Sequence, residues 1–419
     1  MPGELELTVQ TNKAVFPATD GQQLIYILVE AMPTGVMASV QMPLNFSLVL
    51  DHSGSMSGKK LANLKAAARL AVERMGPQDL LSIVIFDDKA KVVVPGQPVG
   101  DVNSLKRQID GIADGGGTEM SRGMQKGLEE LRKGLGAGRV SRMLLLTDGE
   151  TFGDEDKCRQ LAAQAGASGI PITALGLGAD WNERLLDDIA QASKGTSDFI
   201  PEDQPAAILR TFEQSVRQAQ ATVVQNAQAI LRLVPGVLPR AVWRVTPMIV
   251  KLGHRALSDR DVQVTLGDMD RQQGQSVLVE MLLPPFRPGN YRVAQAEVTY
   301  DIPAAGLVGE KVKADIVIHF TADPAQALQS NPYVMNIVEK VTAHKLQTRA
   351  LDEAEAGNIA GATQKLRAAA TRLLALGEED LAQTALEEAS RLERGEQLSA
   401  SGTKKLRYET RKLTQKLDD

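Results

Sequence analysis

Between residues 43 and 220, apolar runs of strand length alternate with stretches of helical period. The runs are LNFSLVL (44–50), LLSIVIF (80–86), SRMLLLT (141–147) and ITALGLG (172–178). Their short, near-continuous apolar character suits parallel strands buried on both faces. The stretches near 59–75, 119–134, 154–168 and 182–193 read as helices. That rhythm predicts a doubly wound sheet with helices on both faces.

The period changes on either side. Leu5, Leu7 and Val9 alternate with polar positions, and Leu24, Tyr26 and Leu28 form a second alternating run. Period two returns in 221–322, at Val262, Val264 and Leu266, and at Val312, Ala314, Ile316, Ile318 and Phe320. Turn material (RPGN at 287–290, IPAAG at 302–306) separates these runs. A pair of strands has little core of its own. Residues 1–42 are therefore expected to complete a β-sandwich with 221–322, and the 43–220 α/β domain becomes an insertion. Residues 323–419 switch to helical spacing, with Val334, Ile337, Val338 and Val341, then Ile359, Ala362, Leu366, Ala370 and Leu373. Gly357, Gly377 and Gly395 follow helical runs as C-terminal caps would, predicting three or four antiparallel helices.

Composition narrows the function classes. At about 150 residues per domain, 419 residues imply two to four domains. With 43% hydrophobic and 24% charged residues, the chain resembles an ordinary soluble protein. A net charge of −5 is a poor match to nucleic acid. The helical region 331–419 carries 14 basic and 14 acidic residues, which also argues against such a surface. Cys158 is the only cysteine, so neither a disulfide framework nor a cysteine zinc site is expected. The first residues lack a basic flank followed by an apolar stretch. No run approaches the roughly 20 apolar residues of a bilayer span. The expected compartment is the cytoplasm.

One distributed set of side chains carries chemistry. The first strand ends in Asp51-His52-Ser53-Gly54-Ser55-Met56, a D-x-S-x-S sequence leading into a helix. Gly115-Gly116-Gly117-Thr118 opens another helix, and the third apolar run ends in Thr147-Asp148-Gly149-Glu150. Loops at the carboxyl ends of strands in an open α/β sheet meet at one crevice, so these pieces are expected to converge. Ser53, Ser55 and Thr118 offer neutral oxygens; Asp51 and Asp148 offer charged ones. An all-oxygen octahedral site suits Mg²⁺, with bonds of about 2.0–2.1 Å and waters retained. Ca²⁺ and Mn²⁺ are the alternatives. A cation held by neutral hydroxyls stays electron-poor and can attract an Asp or Glu carboxylate from another protein. The glycines before Thr118 are expected to allow backbone geometry that a side chain would obstruct.

DHSGSM, GGGT and TDGE, in this order after matching strands, resemble the metal-ion-dependent adhesion site of von Willebrand factor type A (VWA) domains. The resemblance covers roughly 43–220. It implies a Rossmann-like domain that binds protein through a metal. Carried over, it makes Ser53, Ser55 and Thr118 direct ligands, with Asp51 and Asp148 acting mainly through bound water. The whole chain looks like bacterial multidomain proteins labelled calcium-activated chloride channel homologues or inter-α-trypsin-inhibitor-like proteins. Several of these are associated with kinase–phosphatase or AAA+ ATPase systems.

Competing readings are weaker. Gly54–Lys60 has three rather than four residues between its glycines and no Ser/Thr after Lys59, so it is not a P-loop. Ser53 stands where a G-x-S-x-G elbow needs glycine. Asp268-Met269-Asp270 lacks the rest of a calcium loop and reads as a turn. His52 is expected to pack structurally, Glu119 and Glu150 to be solvated or capping, and Cys158 to be a passive thiol. Residues 404–416 carry Lys404, Lys405, Arg407, Arg411, Lys412 and Lys416 against Glu409. With Leu406, Leu413 and Leu417 on one face, this reads as a docked terminal helix with a solvated basic face rather than a membrane contact.

The sequence thus predicts a non-enzymatic scaffold or adaptor, with a helical C-terminal domain, that captures an acidic side chain of a partner protein through Mg²⁺. The alternative is a subunit of an AAA+ ATPase complex of the MoxR or magnesium-chelatase kind. A metal-dependent hydrolase ranks behind both, because the sequence offers no convincing base near the site.

Overall fold

The computed structural model describes residues 3–35, 42–136, 138–151, 153–201, 205–253, 255–256 and 261–415. The chain divides into two compact units, residues 40–222 and the combination of 1–39 with 223–419.

The 40–222 unit is built on a six-stranded sheet. Its order is Ala90–Pro98, Leu80–Phe86, Leu44–Asp51, Val140–Thr147, Ile172–Leu177, Thr196–Ile200. Neighbours are parallel except the outer Ala90–Pro98, which runs antiparallel to Leu80–Phe86. Every residue of Leu44–Asp51 is buried. Phe46, Leu48 and Leu50 share a core with Leu64, Ala68 and Val72 of helix Lys59–Arg74 and Phe212 and Val216 of helix Pro205–Ala221. On the opposite face Ser47 and Val49 lie against Gly127 of helix Met120–Lys133 so closely that a side chain there would clash. The central strand is thus covered on both sides, as its unbroken apolar run requires.

Several elements escaped the sequence pattern. Ala90–Pro98 contains Pro95-Gly96, which punctuate a sequence, but an edge strand tolerates proline because one side of its ladder is unpaired. Thr196–Ile200 has only five residues. Helix Val102–Asp110 is short and is started by Asp101, whose carboxylate accepts a hydrogen bond from the Ser104 amide at 3.0 Å.

The second unit contains two mainly antiparallel sheets. One has the order Leu5–Thr11, Gln23–Pro33, Gln275–Leu283, Leu238–Thr246, Val250–Leu252. The other runs Arg255–Ala256, Asp261–Asp270, Thr222–Leu233, Gly289–Ile302, Leu307–Thr321, Val15–Pro17. The N-terminal strands therefore pair with strands that follow the α/β unit in sequence, so that unit is an insertion. Strand Gln23–Pro33 corrects one expectation. Leu24 is 40% exposed, whereas Ile25, Ile27, Val29 and Ala31 are buried. Leu28 is buried too, in a core shared with Trp243, Leu278 and the C-terminal helices. This strand is a middle layer with two apolar faces, so alternation alone could not select its sandwich-facing phase.

The helices are Pro332–Glu355, Ile359–Ala375, Glu379–Glu393 and Ala400–Glu409. Asn331 caps the first by accepting from the amides of Tyr333 and Val334. Gly357, Gly377 and Gly395 have φ of 82°, 78° and 78°, the left-handed geometry that ends a helix cleanly. Leu406 and Leu413 enter the shared core. Lys404 is buried rather than solvated, which corrects part of the basic-face expectation; Lys416 and Leu417 lie outside the described residues. Asp268-Met269-Asp270 ends a strand rather than forming a turn. Met269 is buried, and Asp270 accepts from the amides of Gln272 and Gln273 in the turn beyond. Among the described residues no helix is long and apolar enough to cross a membrane.

Candidate metal centre

Strand order reverses between Leu44–Asp51 and Val140–Thr147, and the crevice at such a point is where open α/β sheets bind ligands. Asp51 and Thr147 end these two strands. The Asp51 carboxylate accepts from the Ser53 amide at 2.8 Å and from Thr147 Oγ1 at 2.6 Å. Burial pushes the Asp51 carboxyl above its ordinary range, and the hydrogen bonds from Ser53 and Thr147 oppose that rise. Ser53 Oγ and Ser55 Oγ stand 3.0 Å apart. Ser55 Oγ donates to Asp148 Oδ1 at 2.6 Å, and Lys60 Nζ donates to Asp148 Oδ2 at 2.8 Å. Asp51, Ser53 and Asp148 are all buried. Four of the five expected site residues therefore form one connected cluster.

Thr118 lies on the loop that closes beside it. Its hydroxyl hydrogen-bonds to none of the other four among the described residues. The loop is nevertheless pinned from both ends. Gly115 N donates to His52 O at 2.7 Å, and Gly54 N donates to Gly116 O at 2.9 Å. Thr151 Oγ1 donates to Thr118 O at 3.2 Å, and Asp154 accepts from the Ser121 amide at 2.6 Å, at the start of the helix. His52 is structural as expected: its Nδ1 lies 2.8 Å from Ala113 O.

The three glycines serve a purpose other than unusual dihedrals. Asp87 Oδ2 accepts from Gly116 N and Asp88 Oδ2 from Gly117 N, both at 3.1 Å. A Cβ on Gly116 or Gly117 would collide with the Asp88 carboxylate. Although burial pushes the Asp87 carboxyl up, the amides of Lys89 and Gly116 and the His52 ring outweigh it and hold the group below its ordinary range. Asp87, Asp88, Thr147 and Lys60 were not among the predicted site residues. The sequence signal for the two aspartates was their place directly after the Leu80–Phe86 strand.

The donor set fits a hard divalent cation. Two oxygens bound side by side on an octahedron with bonds of about 2.1 Å stand about 3.0 Å apart, the separation seen between Ser53 Oγ and Ser55 Oγ. Ser55 donates its hydrogen to Asp148, so in the 3.0 Å contact it accepts from Ser53 with one lone pair and keeps the other. Among the described residues no group of three or more His, Cys, Asp or Glu side chains is arranged to hold a metal ion. The centre has only two carboxylates, and hydroxyls supply the rest. Cys158 is buried, and burial together with Asp154 pushes its thiol far above the ordinary range, so it is inert.

The comparisons with known proteins agree with this architecture. Residues 45–215 match the family model of the von Willebrand factor type A domain. Residues 332–416 match the Sll0103-like, C-terminal alpha-helical domain. The α/β unit is therefore a VWA domain. Over 374 residues the chain is 31% identical to protein sll0103 of Synechocystis sp., spanning 88% of this chain and 87% of that protein. The chain belongs to the family of Sll0103-like VWA proteins. Inter-alpha-trypsin inhibitor heavy chain H4 of Homo sapiens is 29% identical over 196 residues, 44% of this chain but only 21% of that protein. In fold, the chain is similar to a von Willebrand factor type A protein from Catenulispora acidiphila, with a TM-score of 0.79 and 16% identity. That match covers 98% of this chain and 96% of the other. It is also similar to the ArnB paralog VWA2 from Sulfolobus acidocaldarius (TM-score 0.57, 16% identity, 97% and 99% covered).

Proposed function

We propose that the VWA unit is a divalent-cation-dependent docking module that captures an Asp or Glu side chain of a partner protein. The supporting observation is the cluster of two serine hydroxyls and two buried aspartates at the strand-order reversal, with the serine oxygens 3.0 Å apart. Ser53, Ser55 and Thr118 would hold the cation, and Asp51 and Asp148 would act mainly through its bound waters. The cation supplies Lewis acidity toward a carboxylate oxygen; the protein's part is to present uncharged oxygens and keep that acidity unspent. The all-oxygen donor set suits Mg²⁺, with Mn²⁺ and Ca²⁺ as alternatives. We favour binding over turnover because the cluster's carboxylates are already engaged, Asp51 by the Ser53 amide and Thr147 Oγ1, and Asp148 by Ser55 Oγ and Lys60 Nζ.

Calorimetric titration of the full chain with MgCl₂ tests this. The wild type should bind one ion, and Ser53→Ala should weaken binding at least about tenfold while leaving the fold intact. Absence of any divalent-cation binding to the wild type overturns the reading. Partner capture is tested separately, by affinity purification of the wild type and Asp51→Ala with and without chelator.

A further inference from the structure

We propose that Lys60 is a built-in competitor for the metal centre: its ammonium neutralises Asp148 in the metal-free protein and withdraws when a divalent cation binds, so this side chain sets the centre's affinity. The inference rests on the reading that the centre holds such a cation.

Lys60 Nζ stands 2.8 Å from Asp148 Oδ2, while Ser55 Oγ occupies Asp148 Oδ1. The Asp148 side chain is fully buried, and that of Lys60 is 20% exposed. A buried carboxylate without a counter-charge is strongly unfavourable, so the pair stabilises the cluster. Its placement is also informative. Lys60 lies in the first turn of helix Lys59–Arg74, the end where the helix dipole disfavours a cation. Attraction to Asp148 outweighs that penalty.

A cation held by Ser53 and Ser55 would share Asp148 with this ammonium. Like charges that close repel strongly in a partly buried site. Lys60 has a flexible four-carbon stem, so its ammonium can swing into solvent without any movement of the helix backbone. Withdrawal costs the Lys60–Asp148 attraction, and that cost is subtracted from every metal-binding event. Lys60 is thus a positioning and tuning residue.

The test uses the full chain as wild type, Lys60→Met and Lys60→Gln, with MgCl₂ as the probe. Both neutral variants should bind Mg²⁺ about tenfold more tightly by calorimetry. In EDTA both should melt below the wild type, because Asp148 loses its counter-charge, and saturating Mg²⁺ should remove that deficit. If both variants bind Mg²⁺ no more tightly than a wild type that does bind it, the competitor role is wrong and the metal reading survives. If neither wild type nor variants bind Mg²⁺, the metal reading itself falls and this inference falls with it.

Discussion

Thr147 Oγ1 donates to Asp51 Oδ2 at 2.6 Å, across the seam between the two central strands. The bond locks the orientation of a carboxylate that is already held by its own turn. Thr147→Val keeps the side-chain shape and removes the donor. One acceptor of a buried carboxylate then loses its partner, at about 1–3 kcal/mol. Denaturant unfolding should show that loss, and Mg²⁺ affinity should fall in the same variant.

Gly117 matters through what it touches. Gly117→Ala pushes the Asp88 carboxylate away and weakens its bond to the loop amide. The loop carrying Thr118 should loosen while the sheet remains intact. The expected result is Mg²⁺ binding weakened by about tenfold, with a small change in melting temperature. Calorimetry beside thermal unfolding separates the two effects.

Glu297 gives the second unit an acid-sensitive element. The hydrogen bond from Lys313, with Arg232 beside it, holds this carboxyl below its ordinary range against the opposing effect of burial. A depressed carboxyl pKa contributes stability above the unfolded-state value of about 4.3, and that contribution is lost as pH falls through the folded value. Glu297→Gln should therefore be less stable than the wild type at pH 7, and the gap should close on acidification. Urea titrations at pH 7 and pH 4 read the difference.

Leu28 joins the sandwich to the helices. It is fully buried in one core with Trp243, Leu278, Ile337 and Leu366. Leu28→Ala should cost about 2–5 kcal/mol. Because the core is shared, strands and C-terminal helices should lose structure in a single transition, observable by circular dichroism alongside Trp243 fluorescence. Two separated transitions within this unit would contradict the shared core.

The strength of the local signals explains what could be read before the fold was known. Unbroken apolar runs such as 44–50 have one sensible environment, a strand covered on both faces, and they anchored the α/β assignment. The D-x-S-x-S sequence and Thr147-Asp148 sat at the ends of such runs, so their convergence followed from topology. Lys60 was invisible as a site residue because nothing local distinguishes a lysine paired with Asp148, 88 positions away, from a solvated one. Asp87 and Asp88 were hidden likewise: their role is to receive the amides of Gly116 and Gly117, which only the folded loop presents. The phase of Gln23–Pro33 is not legible from alternation because both faces are apolar. Pro95-Gly96 masked an edge strand because punctuation residues are tolerated where the ladder ends.

The insertion has a consequence for how the molecule is made. Strand Gln23–Pro33 leaves the ribosome early, but its partner Gln275–Leu283 follows only after the whole VWA unit has been translated. At about 5–20 residues per second, that delay is on the order of ten seconds or more. The inserted unit is continuous in sequence and can settle first. Strand Gln23–Pro33 can pair early with Leu5–Thr11, but its other edge and both apolar faces stay uncovered until the chain beyond the insertion arrives.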